Sequence, residues 1–148
     1  MLILADALLQ APDRLLRPGH LRVFGKTVLE TGRNLSPRAG EQVMELSGIT
    51  LTPGFLNLHA HLELSPLHGK IPPSLAFAEW LRKLLPMLPG LNSTLRADAI
   101  VSSARTAAET GTTTILNIVS DPGALAGLGG TLPRIWWALE FMDLHGDP

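Results

Sequence analysis

The 148-residue chain contains no cysteine. Without a thiol it cannot form disulfides, use a thiolate nucleophile, or build a zinc finger or a cysteine-bound iron–sulfur cluster. A lack of cysteine is compatible with the cytosol, where thiols stay reduced, and we expect a cytoplasmic protein.

An excess of charge of one sign is also lacking, since 12 Lys and Arg oppose 13 Asp and Glu for a net charge of −1. Such a chain has no basic surface for nucleic acid or anionic lipid. Long hydrophobic runs are missing too, because Pro, Gly, Asn or His interrupts each uncharged segment well before the ~20 apolar residues of a membrane helix. We therefore expect a small-molecule substrate, with no nucleic-acid or membrane partner.

The first part of the chain, residues 1–52, shows short β-prone runs without a long helical pattern. Around Gly25 the sequence predicts a hairpin with a type II′ turn, in which glycine supplies the positive φ. Around Gly48 it predicts a second pair of short strands. The predicted strands are residues 2–9, 20–24, 27–30, 42–46 and 49–52.

The pattern changes at Pro53 and Gly54, and we place the domain boundary there, with domains 1–52 and 53–148. Apolar residues at helical spacing predict a helix over 74–85, and a cap at Asn92 or Ser93 begins a second helix over 94–110. The predicted strands are residues 55–59, 112–119 and 135–142. Strands that alternate with helices predict a parallel sheet with right-handed crossovers.

The central chemical feature is the pair His59 and His61. On a strand, residues i and i+2 point to the same face, so both imidazoles can approach one metal ion. Apolar residues precede the pair, which places it at the carboxyl end of a strand, where α/β folds bind ligands. Alone, this spacing is more often incidental or structural than a metal site.

In context, residues 51–62 (LTPGFLNLHAHL) resemble the first barrel strand of the amidohydrolase superfamily. Residues 1–52 are similar to the strands that precede the barrel in that family, and residues 111–114 (GTTT) to the start of its second barrel strand. The resemblance implies an α/β fold: about three strands from the N-terminal part of a (β/α)₈ TIM barrel, preceded by strands of a small β-sandwich.

The resemblance also implies a metal centre and a reaction. His59 and His61 match two ligands of a divalent ion, Zn or Fe. Asn57 matches the aminohydrolase and chlorohydrolase branch, and residues 61–65 (HLELS) are similar to deaminases that act on aminofutalosine and related purine nucleosides. The implied activity is metal-dependent hydrolysis of C–N bonds other than peptide bonds, through deamination of a purine-like or other amino-heterocycle. A dihydroorotase-like cyclic amidase is the alternative enzyme.

Two carboxylates are candidate substrate-binding residues. Glu63 lies two residues beyond His61 and is predicted to hydrogen-bond a polar ring edge, the alternative being a solvated loop residue. Glu140 is an acid within an apolar strand, where an unpaired carboxylate is costly. It either marks the carboxyl end of the strand and contacts substrate, or forms a structural ion pair. For Asn117, within the second barrel-like strand, a functional and a structural role are likewise both open.

A complete barrel takes about 250 residues, and the family supplies more ligands from later strands. We therefore expect a truncated chain that is inactive alone, with the acid and base residues beyond Pro148. The alternative is a non-catalytic remnant or a weak metal-binding fragment. Whether the full-length enzyme forms a homodimer is left open by the sequence. An unpaired sheet edge would expose an apolar patch of Val119, Ile135, Trp136 and Phe141.

Overall fold

The computed structural model describes residues 1–126, 128 and 133–140. The chain divides into two compact units, Met1–Pro53 and Gly54–Pro148. Regular structure in the first unit consists of strands, and in the second unit strands alternate with helices. Within the described ranges, no helix has both the length and the apolarity needed to cross a membrane.

The first unit is a five-stranded sheet with β1 as its central strand. One edge of β1 pairs antiparallel with β2 and β3, and β5 pairs with it in parallel. β4 pairs with β3 and completes the predicted hairpin, with Gly25 at φ 56°. The association of this sheet into a sandwich stays a prediction. The strands are β1 (Leu2–Ala11), β2 (Arg14–Leu16), β3 (Gly19–Phe24), β4 (Thr27–Gly32) and β5 (Val43–Leu51).

The prediction of two separate strands around Gly48 is wrong, because β5 runs continuously through this glycine. Gly48 has φ 75° and lies where the register between β1 and β5 shifts. Its N–H donates a 3.0 Å hydrogen bond to Oδ2 of Asp6 in β1. The glycine therefore forms a bulge held by a residue of the neighbouring strand, and the chain does not reverse.

A buried arginine connects several segments of the first unit. The Arg22 residue is only 4% exposed, and its Nε donates to Oε1 of Glu41 at 2.8 Å. Its Nη2 donates to the Ser36 carbonyl at 2.7 Å, and its Nη1 pairs with Glu30. The hydrogen bond with Arg22 is the main cause that lowers the pKa of Glu41, and the same bond raises the pKa of Arg22.

The second unit contains three parallel strands in the order β6-β7-β8. This confirms the predicted alternation of strands and helices. The predicted cap of the second helix is also confirmed, because Oδ1 of Asn92 accepts a 2.9 Å hydrogen bond from the N–H of Leu95. The elements are β6 (Phe55–Ala60), α1 (Phe77–Leu84), α2 (Ser93–Glu109), β7 (Thr112–Val119) and β8 (Arg134–Leu139), with 3₁₀ turns at Leu62–Leu67, Leu85–Gly90 and Pro122–Leu125.

Gly54 allows β6 to start close to β7. A Cβ on Gly54 would lie 2.2 Å from the side chain of Thr113, which no real contact permits. The glycine of the Pro-Gly pair is therefore required by the approach of the two strands.

The middle strand β7 is the buried part of this sheet. Ile115, Asn117 and Val119 are each 0% exposed, and α2 packs against β7. The flanking strands are open by contrast, since Leu58 of β6 is 69% exposed and Trp136 of β8 is 62% exposed. The predicted exposed patch is thus wrong for Val119 and confirmed for Trp136. Its fourth member, Phe141, lies outside the described residues.

Candidate metal and substrate site

The carboxyl ends of the three parallel strands meet at one edge of the sheet. His59 lies near the end of β6 and His61 directly after it, while Ser120 follows β7 and Glu140 follows β8. The Glu140 N–H donates to the Val119 carbonyl at 3.0 Å, so the ladder between β7 and β8 extends to Glu140. Glu140 therefore lies at the carboxyl end of its strand, as the first of its two interpretations from the sequence requires.

The rings of His59 and His61 lie side by side, with centroids 5.3 Å apart and planes inclined at 59°. Two imidazoles that bind one tetrahedral ion through nitrogens at 2.0–2.1 Å have centroids roughly 5 Å apart, so the pair fits a shared ion. Oδ1 of Asn57 accepts a 3.1 Å hydrogen bond from the His59 N–H and steadies the end of the strand.

Among the described residues, no group of three or more His, Asp or Glu side chains is arranged to hold a metal ion. The two histidines therefore offer half of a tetrahedral donor set, and their role as ligands stays a prediction. Of the other described histidines, His20 accepts the Leu35 N–H through Nδ1 at 3.1 Å, and His68, exposed after the first 3₁₀ turn, lines a second cavity together with His61.

Two carboxylates approach the same nitrogen of His61. Its Nδ1 lies 3.9 Å from Oε1 of Glu63 and 4.0 Å from Oε2 of Glu140. Their surroundings differ, because Glu63 is completely buried whereas the side chain of Glu140 is 35% exposed. The structure thus brings together all four residues that the sequence singles out as metal-binding or substrate-binding.

Asn117, which the sequence left ambiguous, connects β7 to this group. Its Oδ1 accepts the Leu62 N–H at 2.8 Å, and its Nδ2 donates to Oε2 of Glu63 at 3.2 Å. Within the described part of the chain, Oε1 of Glu63 has no hydrogen-bond partner. The sequence signal for this role is a single amide within a β-branched strand, since a buried amide requires partners.

A cavity of about 320 Å³ adjoins the histidines. His59, His61 and Glu140 line it, whereas Glu63 does not. Phe77 and Trp80 also line it, and their rings are stacked with centroids 6.1 Å apart and planes inclined at 20°. The remaining lining side chains are Leu64, Leu81, Leu84, Leu88 and Ser120.

The contribution of α1 to this cavity has no signal of its own in the sequence. Helical periodicity correctly identified the apolar face that carries Phe77 and Trp80. It could not indicate what that face contacts, because a face that packs in a core has the same period as one that lines a cavity. The 75% exposure of Phe77 shows that the face is only partly covered.

Arg96 of α2 fixes the segment that follows α1. The residue is 5% exposed, and it donates to the carbonyls of Leu91 at 2.8 Å and Leu88 at 3.0 Å. These bonds satisfy carbonyl groups at the end of the second 3₁₀ turn. Arg96 therefore anchors Leu88, one of the residues that line the cavity.

Solved structures with the same fold are hydrolases. The chain superposes on an atrazine chlorohydrolase from Arthrobacter aurescens TC1 complexed with zinc, with a TM-score of 0.73, 17% identity, and 93% of this chain and 35% of that one covered. It superposes on an adenosine deaminase from Xanthomonas campestris with bound zinc, with a TM-score of 0.65, 18% identity, and coverages of 84% and 30%. These likenesses confirm the predicted fold class, in which the three parallel strands are part of a TIM barrel preceded by β strands.

The chain spans about a third of the length of these structures. No curated protein matches its sequence. The model of the amidohydrolase family matches residues 50–129, which include His59, His61 and Asn117. This match extends over more than half of the sequence and contains β6 and the residue that follows it, which carry the two histidines. The chain belongs to the amidohydrolase family.

Proposed function

We propose that the chain carries part of the active site of a metal-dependent hydrolase that cleaves C–N bonds other than peptide bonds. The observation that carries this proposal is the paired arrangement of His59 and His61, whose ring separation of 5.3 Å suits one shared ion. Membership of the amidohydrolase family supports it.

His59 and His61 would hold a divalent ion, Zn or Fe. Zinc is present in the similar structures of the chlorohydrolase and the adenosine deaminase. Such an ion, when bound, lowers the pKa of its water toward about 7 and so supplies a nucleophile at neutral pH. The remaining ligands and the acid and base groups would come from outside the described residues.

The proposed reaction is deamination of a purine-like or other amino-heterocycle. The stacked rings of Phe77 and Trp80 give the cavity a flat aromatic side that suits a planar ring. Glu140 lines the same cavity and is placed to accept a hydrogen bond from an amino group. The apolar side chains of α1 would exclude water around the ring. Glu63 does not line the cavity, so direct contact with substrate requires a different arrangement of that side chain.

The test combines metal analysis with an activity screen. The 148-residue chain and the product of its full natural reading frame are each purified with Zn or Fe. Each is then assayed for ammonia release from aminopurines, their nucleosides and aminotriazines, and for ring opening of cyclic amides. We expect ammonia release from the product of the full reading frame that is lost in His61→Asn and retained in Glu109→Gln, an exposed control on α2.

Other outcomes of the screen contradict the proposed deamination or the hydrolase itself. Ring opening without ammonia release identifies a cyclic amidase, which keeps the C–N hydrolase and contradicts the deamination. Bound metal without turnover of any substrate class identifies a non-catalytic remnant. Equal activity in wild type and His61→Asn removes the histidine pair from the mechanism.

A further inference from the structure

The proposed function leaves Glu63 without a role. The residue is 0% exposed, and a carboxylate buried without full pairing is unfavourable. One oxygen, Oε2, accepts from Asn117 at 3.2 Å. The other, Oε1, has no hydrogen-bond partner among the residues described, and the Nδ1 atom of His61 lies 3.9 Å away.

The orientation of this carboxylate is determined by the backbone. The amide of Asn117 cannot exchange its oxygen and nitrogen, because its Oδ1 accepts the Leu62 N–H at 2.8 Å. Its Nδ2 must therefore face Glu63 and donate to Oε2. Glu63 in turn presents Oε1, an acceptor, toward the ring of His61. Donor and acceptor are therefore fixed from the Leu62 N–H through Asn117 to Oε2 of Glu63, and Oε1 is the oxygen that faces the imidazole.

We propose that Glu63 is a positioning residue that accepts a hydrogen bond from Nδ1–H of His61 and so reserves Nε2 for the metal ion. The proposal rests on the proposed role of His61 as a ligand. Histidines that bind metals generally donate their other ring N–H to a carboxylate or carbonyl, which fixes the tautomer and the ring orientation. The 3.9 Å separation is about 1 Å longer than a hydrogen bond, so the proposed bond requires the imidazole to turn toward Glu63.

Glu140 is the competing carboxylate, with Oε2 at 4.0 Å from the same Nδ1. It differs in two respects, since its side chain is 35% exposed and it lines the cavity. These features suit contact with a substrate, and they leave the orientation of the imidazole to Glu63.

The substitution Glu63→Gln tests the assignment because its effect on the proton is specific. Glutamine has nearly the same shape, but only one of its two terminal atoms is an acceptor. Since Asn117 donates, the glutamine oxygen must face Asn117, and its NH₂ group must face Nδ1 of His61. The imidazole then has to accept at Nδ1 and carry its proton on Nε2, the nitrogen that the metal needs.

The position of that proton is measured by two-bond ¹H–¹⁵N correlation spectra of ¹⁵N-histidine-labelled, metal-free protein at about pH 8.5, where an ordinary imidazole is neutral. His61→Asn assigns the signal. We expect the proton on Nδ1 in wild type, on Nε2 in Glu63→Gln, and on Nδ1 in Glu140→Gln. A wild-type proton on Nε2, or a tautomer that changes in Glu140→Gln and not in Glu63→Gln, overturns the proposal. The wild-type spectrum alone decides if Glu63→Gln fails to fold.

Zinc affinity gives a second readout. Glu63→Gln should weaken zinc binding about 10- to 100-fold, the usual effect of removing such a partner, while Glu109→Gln leaves it unchanged. Unaltered affinity in a folded Glu63→Gln variant contradicts the positioning role. The tautomer is read without metal or substrate, so failure of the proposed hydrolase activity leaves this test intact.

Discussion

Two buried charged side chains, Arg22 in the first unit and Glu63 in the second, differ in how completely they are paired. In the first unit, Arg22 donates to Glu41 and to the Ser36 carbonyl, and it also pairs with Glu30. In the second unit, Glu63 meets a single amide, and its Oε1 has no hydrogen-bond partner among the described residues.

We interpret the difference as one between a structural group and a group of the proposed site. A buried charge with several partners connects segments of a fold, as Arg22 does between β3, β4 and the segment that precedes β5. A buried polar atom without a partner is unfavourable and persists where a site requires it. Glu63, which lies beside His61, is of the second kind, because its Oε1 has no hydrogen-bond partner among the described residues. The predictions below test this contrast, from the largest expected effect to the smallest.

The largest effect is expected from the histidine pair. His59→Asn or His61→Asn, made in the product of the full natural reading frame, should abolish metal retention after gel filtration, because each removes one of the donors and opens the site to water. His68→Asn, at an exposed position, is the matched control and should retain the metal. Metal content is measured by inductively coupled plasma mass spectrometry. Retention of one equivalent in both variants would contradict the assignment.

The second-largest effect is expected when the paired cation, Arg22, is replaced. Arg22→Met keeps a long side chain but leaves Glu41 and Glu30 without their buried partner, so the first unit should lose stability. Hydrogen exchange at the amides of β1 and β3 should accelerate strongly. Arg33→Met, at an exposed position, should change exchange little. Equal exchange in the two variants would show that the network does not hold the sheet.

Acidification should weaken the same network gradually. The hydrogen bond from Arg22 lowers the pKa of Glu41 below its ordinary value of 4.5 in the folded state. A carboxylate with a lowered pKa stabilises the fold above its unfolded pKa, and this stability disappears as the pH falls through the folded value. The first unit should therefore unfold at lower urea concentrations below about pH 4.5. Glu41→Gln should be less stable at pH 7 and show a smaller loss on acidification. A loss as large as that of wild type would assign the effect to other groups.

The smallest effect is expected at Glu63 and has the opposite sign. In metal-free protein, Glu63→Gln removes a buried charge that has no Lys or Arg partner among the described residues, and it should raise the thermal midpoint of the second unit slightly. Tryptophan fluorescence reports this unit alone, because the three tryptophans are Trp80, Trp136 and Trp137. A clear fall in the midpoint would mean that Glu63 is retained for stability and would remove the contrast with Arg22.

Local patterns predicted much of this arrangement. Alternation with a period of two predicts that His59 and His61 point to the same side, and their rings do lie side by side, although His61 follows the end of β6. The β-branched run of β7 and the capping residue Asn92 likewise act over a few residues. Elements of this kind agree with the structure because neighbouring residues alone determine them.

Long-range contacts account for what the sequence could not predict. Gly48 is typical of a turn, but its N–H bonds to Asp6, 42 residues away, and the strand continues. The sequence predicts that Glu63 contacts a substrate, whereas the residue is buried and bound by Asn117, 54 residues later in the chain. Neither contact has a periodic signature, because each depends on which strands become neighbours.

The most direct test of the central claim is the position of a metal ion relative to His59 and His61. Crystals of the zinc-loaded protein would be measured on both sides of the zinc absorption edge. The account predicts one anomalous peak about 2.0–2.1 Å from a ring nitrogen of each histidine. A peak bound to only one of the two rings, or located away from both, would contradict it.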